Sequence, residues 1–138
     1  MTAEIRRART AYLWVGVIIP AAIIALAAIV LVAWLPETPD PSAIHWGADG
    51  VDGYGPRWAN LAVLLGVGGG LVALFASITL LSRRQTTAPS DARAAGPQWS
   101  ASARLLGAVS LGTSAMIAFL SVMSVDAQRG LADAADAA

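Results

Sequence analysis

The side chains best suited to bind a ligand or partner are concentrated in one short stretch, residues 39–55. This stretch contains the chain's single histidine, together with carboxylates and aromatic rings. Imidazole and carboxylate groups can bind metals, move protons or hydrogen-bond a partner, and an aromatic ring beside them adds contact area. The candidate binding residues are His45, Trp46, Asp49, Asp52 and Tyr54.

Metal binding and catalysis are both poorly supported by this set. The spacing does not match a twelve-residue calcium loop, and zinc needs three or four good ligands, whereas the chain has one His and no Cys. There is no Ser-His-Asp order, no Gly-rich phosphate loop and no carboxylate pair within an apolar segment. We therefore predict no enzyme activity, no metal and no cofactor. The alternative to a binding role is structural: His45 would hydrogen-bond a loop carbonyl, and the Asp residues would cap turns.

The same stretch has the composition of a compact loop. Pro36, Pro39 and Pro41 prevent helix and favour an extended chain. Asp49-Gly50 and Asp52-Gly53 are turn dipeptides, because glycine takes positive φ without steric cost. Compact exposed loops often carry binding sites, so we expect this loop to be the functional part of the chain.

Three long apolar runs must position this loop: Ala11–Leu35, Leu61–Leu81 and Leu105–Val125. A bilayer core about 30 Å thick is crossed by about 20 apolar helical residues. None of the runs contains a charged side chain, and the whole chain is 57% hydrophobic and 13% charged. The sequence therefore predicts an all-α integral membrane protein with three transmembrane helices and a compact Pro/Gly-rich extracytoplasmic loop.

The arginines predict the orientation, because cytoplasmic flanks of membrane helices carry an excess of basic residues. Only Arg57 and Arg129 fall on the side of the loop, and the other arginines flank the opposite ends of the helices: Arg6, Arg7, Arg9, Arg83, Arg84, Arg93 and Arg104. We expect a protein of the bacterial cell membrane with its N-terminus in the cytoplasm and its C-terminus outside. Aromatic residues mark the two interfaces, with Trp34 and Trp58 on the outer side and Tyr12, Trp14 and Trp99 on the inner side.

The predicted organisation has five parts. These are a cytoplasmic N-terminus (1–10), a membrane domain of two helices and the outer loop 36–60 (11–82), a cytoplasmic linker (83–104), a third transmembrane helix (105–125) and an external tail (126–138). Pro89, Gly96 and Pro97 indicate a flexible linker. The tail, rich in Ala and Asp, is compatible with a frayed helix or with disorder. Pro20 removes a backbone donor from the first helix and predicts a kink there.

Small residues predict how the helices pack, because they let helix backbones approach closely in lipid. Gly66 and Gly70 form a G-x-x-x-G pair in the second helix, and Gly107 and Ser114 lie on a small-residue face of the third. We expect these two faces to pack together within one chain. A homodimer through Gly66 and Gly70 is the alternative.

The loop residues also resemble a known family. Pro39-Asp-Pro41, His45-Trp46-Gly47, Asp49-Gly50 and Asp52-Gly53-Tyr54-Gly55 are similar to the signature of a bacterial and archaeal membrane domain of unknown function. That domain also forms the N-terminal part of SdpI-type immunity and signalling proteins, which protect cells against a secreted toxin. Ala43 stands where the family motif usually has a proline, and the further helices of SdpI-type proteins have no counterpart here. The resemblance implies a sensor or immunity role for the loop.

Two classes of function remain open from the sequence. One is a small membrane sensor or interaction protein whose loop recognises a peptide or a membrane-protein partner. The other is an accessory or transport-related subunit of a larger membrane complex. Membrane lipids are expected partners in both cases, a homo-oligomer is compatible with both, and no nucleic-acid partner is expected.

Overall fold

The computed structural model describes residues 10–85 and 101–137 of the chain. Within these residues three helices are long and apolar enough to cross a bilayer: Thr10–Glu37, Ala59–Ile78 and Arg104–Asp126, here called spans 1, 2 and 3. The three predicted membrane helices are thus confirmed as candidate spans. Most of the predicted N-terminal segment (1–10), most of the linker (83–104) and the predicted interface residue Trp99 lie outside the described residues.

Two of the spans are interrupted by short π-helical stretches, in which the backbone hydrogen bonds reach five residues instead of four. Span 1 consists of a π-helix (Trp14–Ile18), helix α1 (Ile19–Trp34) and a 3₁₀ turn (Leu35–Glu37). The second helical region consists of helix α2 (Ala59–Val63), a π-helix (Leu64–Gly69) and helix α3 (Gly70–Gln85). Span 3 belongs to helix α4 (Ala101–Asp126).

The apolar core of the bundle is small. Leu31 and Leu64 are its most deeply buried large side chains, and they are joined by Ile24, Ala27, Val72, Ala118 and Val125. Large apolar side chains such as Leu26, Ile29, Leu105 and Phe119 point outward instead. This pattern suits a bundle whose outer surface faces lipid, because lipid tails solvate apolar side chains as well as a protein core does.

Pro20 marks the closest approach of spans 1 and 3. Proline has no N–H, so it cannot donate to the Gly16 carbonyl four residues earlier. The buried Ser110 hydroxyl of span 3 donates to that carbonyl across 2.8 Å. Both neighbouring positions are small: a Cβ built on Gly16 would lie 3.8 Å from the Gly107 Cα. A π-helical stretch thus lies just before Pro20 and coincides with a contact between two helices, whereas the kink expected at Pro20 stays a prediction.

The glycine contact in span 2 differs from the expected one. A Cβ built on Gly66 or Gly70 meets nothing within 4 Å, so the predicted contact of these two residues with span 3 within one chain is wrong. Gly68 makes the close approach instead, since a Cβ there would lie 2.7 Å from Ile24 Cδ1 and 3.4 Å from Ile117 Cγ2. Span 3 presents its small face inward as expected, with Gly107 and Ser114 buried, but packs mainly against span 1.

The loop between spans 1 and 2 is a β-hairpin, which corrects the all-α prediction. Strand β1 (Ser42–Gly47) pairs antiparallel with strand β2 (Gly50–Gly55). The connecting turn ends at Gly50, whose φ of 112° is one that residues with a side chain rarely adopt. Asp49-Gly50 is thus a turn dipeptide as predicted, whereas Asp52-Gly53 lies inside β2.

The segment after span 3 is folded back beneath this hairpin. A 3₁₀ turn (Ala134–Asp136) contacts both strands, and Ala134 and Ala137 are buried. The Gly130 N–H donates to the Glu37 carbonyl at the end of span 1 across 2.8 Å. The tail is therefore neither a frayed helix nor a loose end, and it lies at the same end of the bundle as the hairpin.

Candidate functional site

The hairpin is irregular, and its irregularities determine which side chains it displays. Its register shifts between Ala43 and His45 and again between His45 and Trp46. Such bulges place an extra residue on one strand and redirect the neighbouring side chains. As a result Ile44 and His45 are both exposed although they are adjacent in the strand, whereas Ser42 and Ala43 are buried.

His45 and Asp52 come together on the exposed part of the hairpin. His45 Nδ1 donates to Asp52 Oδ1, while the two side chains keep 70% and 55% of their surface accessible. An ion pair this exposed contributes at most about 1 kcal/mol to stability. The pair therefore offers an imidazole edge and a carboxylate to a partner without being needed to hold the fold.

Two glycines make room for this pair. A Cβ on Gly53 would lie 2.8 Å from His45 Cβ, and a Cβ on Gly47 would lie 2.5 Å from Asp52 Oδ2. A side chain at Gly53 would collide with an atom that cannot swing away. One at Gly47 would displace the carboxylate from His45. The H-W-G and D-G elements of the sequence thus have a steric role in positioning His45 and Asp52.

Gln128, which follows span 3, binds the buried base of the hairpin. Its Oε1 accepts a hydrogen bond from the Ala43 N–H at 2.7 Å, and its Nε2 donates to the Ala43 carbonyl at 3.0 Å. The same Nε2 donates to the Ser124 carbonyl at 3.0 Å, in the last turn of helix α4. Gln128 is fully buried, so its amide takes the place of a neighbouring peptide group for the backbone of β1.

Asn60 at the start of span 2 completes this buried network. Its Nδ2 donates to the Ala43 carbonyl at 3.4 Å, and its Oδ1 accepts from the Ser124 hydroxyl at 3.3 Å. In the fold Asn60 joins spans 2 and 3 to the same backbone carbonyl of β1, so the base of the hairpin is fixed by side chains from two spans.

Charged side chains bind the loop and the tail at the rim. The Arg57 Nε donates to Asp40 Oδ2 at 3.2 Å, which connects the proline-rich exit from span 1 to the entry of span 2. The Arg129 guanidinium lies 4.2 Å from the centre of the Trp34 ring and 3.5 Å from Glu37 Oε2. Cation–π contacts at partly exposed sites contribute about 0.5–1 kcal/mol. These contacts hold the tail against the end of span 1.

The predicted binding residues therefore occupy three kinds of position. His45 and Asp52 form one exposed pair, Trp46 is half-buried in β1, and Asp49 lies in the exposed turn. Tyr54 is exposed and pairs with Ala43 across the hairpin. In the described part of the chain, no three His, Asp or Glu side chains meet in a group that could hold a metal ion.

The residue that sequence reasoning missed is Gln128. A single glutamine just beyond an apolar run gives little local signal, because its partner Ala43 is 85 residues away. Ser42 is a second such residue: it is fully buried, and its hydroxyl has no hydrogen-bond partner within the described residues.

Comparison with protein families relates the region around the hairpin to a described domain. A family model described as a domain of unknown function (DUF1648) matches residues 22–68. That range includes most of α1, the whole hairpin and the first half of span 2, and it ends before the third span and Gln128. Searches of curated proteins and of solved structures found no match. The chain is thus a membrane protein with three candidate spans that contains a region similar to DUF1648.

Proposed function

We propose that this chain is a small membrane interaction protein of the sensor or immunity type, with the hairpin as its recognition element. The observation that carries the proposal is the difference between the fixed base of the hairpin and its exposed polar pair. Its base is fixed by buried hydrogen bonds from Gln128 and Asn60, whereas His45 and Asp52 stay exposed. A rigid base with a displayed polar pair reduces the entropy that a binding loop loses when it meets a partner.

The partner class that fits best is a peptide or the external segment of a membrane protein. An exposed imidazole–carboxylate pair can donate and accept hydrogen bonds, and the half-buried Trp46 and exposed Tyr54 add aromatic contact area. The similarity of the loop to that of SdpI-type proteins supports the same kind of role. No step in this proposal requires a cofactor, a metal or catalysis.

The proposed location is the bacterial cell membrane, with the N-terminus in the cytoplasm and the hairpin outside. The excess of arginine at the other end of the spans supports this orientation. Because the chain has no cysteine, single cysteines can be labelled selectively. A membrane-impermeant maleimide applied to intact cells should label Asp49→Cys and leave Arg84→Cys unlabelled, and the opposite pattern would reverse the orientation.

Site-specific photo-crosslinking in cells tests the recognition role. A photoreactive phenylalanine analogue at Tyr54 should give a discrete adduct of higher mass. That adduct should be lost in an Asp52→Asn background and retained in the matched Asp136→Asn background, because Asp136 is an exposed residue of the tail. Adducts that do not respond to Asp52→Asn, at unchanged protein abundance, would contradict recognition through the pair.

An accessory subunit of a larger membrane complex is the second candidate. The observation that favours it is the open space beside Gly66 and Gly70, which face away from the rest of the described chain. Small residues on an outward helix face permit another helix to approach. The same photoreactive group at Gly70 decides between the two: an adduct from Gly70, with none from Tyr54, would favour the accessory role. An adduct of twice the chain's mass would indicate a homo-oligomer.

A further inference from the structure

Two large apolar side chains are exposed close to the start of span 2. Ile44 is 44% accessible and Trp58 is 57% accessible. The residue before Ile44 is fully buried, and the register shift of β1 is what turns Ile44 outward. Large apolar residues on an outer surface indicate contact with another phase or molecule when they form a continuous patch.

The position of Ile44 relative to the membrane follows from Gly55. A Cβ built on Gly55 would lie 3.1 Å from Ile44 Cδ1 and 3.5 Å from Ala59 Cβ. Ile44 and Ala59 therefore converge on the same point, and Ala59 is the first residue of span 2. The exposed face of Ile44 thus lies at the level where the apolar helix begins, and not out in the aqueous phase.

Trp58 makes this patch continuous with the lipid-facing side of span 2. Trp58, Ala62 and Leu65 follow one another at steps of four and three residues, which places them on one helix face. All three are exposed, and Leu65 lies well inside the span. Trp58 therefore extends a surface that faces lipid up to the boundary with water, and Ile44 approaches the residue that follows it, Ala59.

We propose that the hairpin rests on the bilayer, with Ile44 inserted beside Trp58 at the boundary between headgroups and acyl chains. Tryptophan is enriched at this depth because its ring is apolar and its N–H remains hydrated. Arg57, the residue before Trp58, pairs with Asp40, and both side chains are partly exposed, which suits charged groups at headgroup level. The occupant of the patch is thus the lipid surface, and His45 and Asp52 remain in water. This proposal does not depend on the recognition role.

Spin labels on single cysteines can measure the depth directly. The full-length protein with Ile44→Cys would be labelled and reconstituted in vesicles of phosphatidylcholine and phosphatidylglycerol. Collision with oxygen, which concentrates in lipid, is then compared with collision with a water-soluble nickel chelate. The oxygen-to-nickel ratio at Ile44 should lie several-fold above that at Asp49→Cys in the turn, and below that at Leu65→Cys within the span.

Two results would overturn the proposal. A label at Ile44 that is as accessible to nickel as the one at Asp49 would place the patch in water. A label shielded from both reagents would mean that protein, and not lipid, covers it. Trp58→Cys supplies a second probe of the same patch, so the depth is still decided if Ile44→Cys does not fold. A nickel-accessible label at Trp58 would equally refute insertion.

Discussion

At the base of the hairpin, Ala43 is fully buried and Gln128 binds both its N–H and its C=O, whereas further along the hairpin His45 of β1 pairs with Asp52 of β2 on the exposed surface. In both regions, polar groups form hydrogen bonds with one another. At the base, burial makes each hydrogen bond necessary, because an unpaired backbone group in the interior costs about 1–3 kcal/mol. In the exposed part, water can replace either partner. The same hairpin thus combines a structural anchor with a surface that can change without loss of the fold.

The largest expected effect comes from removing the anchor. Gln128→Ala leaves the buried Ala43 N–H without its side-chain acceptor, which costs about 1–3 kcal/mol, and the loss of packing at this fully buried position adds to that cost. Heating the purified protein in detergent and measuring the monodisperse fraction would show this as a clear drop in Tm. Asp136→Asn, an exposed change in the same tail, is the matched control and should leave Tm unchanged. An unchanged Tm for Gln128→Ala would mean that the base of the hairpin contributes no more to stability than its exposed part does.

An intermediate effect is expected where the two regions meet. Gly53→Ala brings a methyl group to 2.8 Å from His45 Cβ, so β1 and β2 must move apart locally. Overpacking of this kind costs about 1–3 kcal/mol. Tm should fall by less than in Gln128→Ala, and Ala48→Ser in the exposed turn should not lower it. If Gly53→Ala had no effect, the close approach of the strands would be less tight than the structure indicates.

The smallest effect on stability is expected for the exposed pair itself. His45→Ala should change the free energy of unfolding by less than about 1 kcal/mol, because exposed ion pairs contribute little. The measurement is the same Tm assay, run beside the crosslinking assay with the photoreactive group at Tyr54. Loss of the crosslinked adduct at unchanged Tm would show that the exposed pair serves binding, whereas the buried base serves stability. A fall in Tm as large as that of Gln128→Ala would mean that the exposed pair stabilises the fold as much as the buried base does.

Hydropathy was sufficient to predict the three spans, because bilayer thickness dictates their length and composition. The hairpin could not be read in the same way. Its strand Ser42–Gly47 has two register shifts and no regular alternation of apolar and polar residues. The sequence did identify the turn at Asp49-Gly50 and the residues His45 and Asp52. It did not reveal their pairing, which depends on strand register.

Long-range contacts were the part that sequence patterns could not provide. The G-x-x-x-G pattern selected Gly66 and Gly70, yet Gly68 lies on the face that meets span 1. Spacing alone defines a helix face but not the direction in which it points. Gln128 likewise offers no periodic pattern, and its role depends on a backbone group supplied by a distant strand.

The hydrogen bond from Ser110 to the Gly16 carbonyl has a consequence for assembly. In hydrocarbon, a carbonyl whose α-helical donor has been removed by Pro20 strongly favours any hydroxyl within reach. Helices that slide past one another after insertion would therefore stop at the alignment in which this hydroxyl and carbonyl meet. A slip of one helical turn, about 5.4 Å, would separate them. The same alignment of spans 1 and 3 places Gln128 beside Ala43. The Ser110–Gly16 hydrogen bond inside the bundle therefore helps to determine where along the bundle axis the tail meets the hairpin.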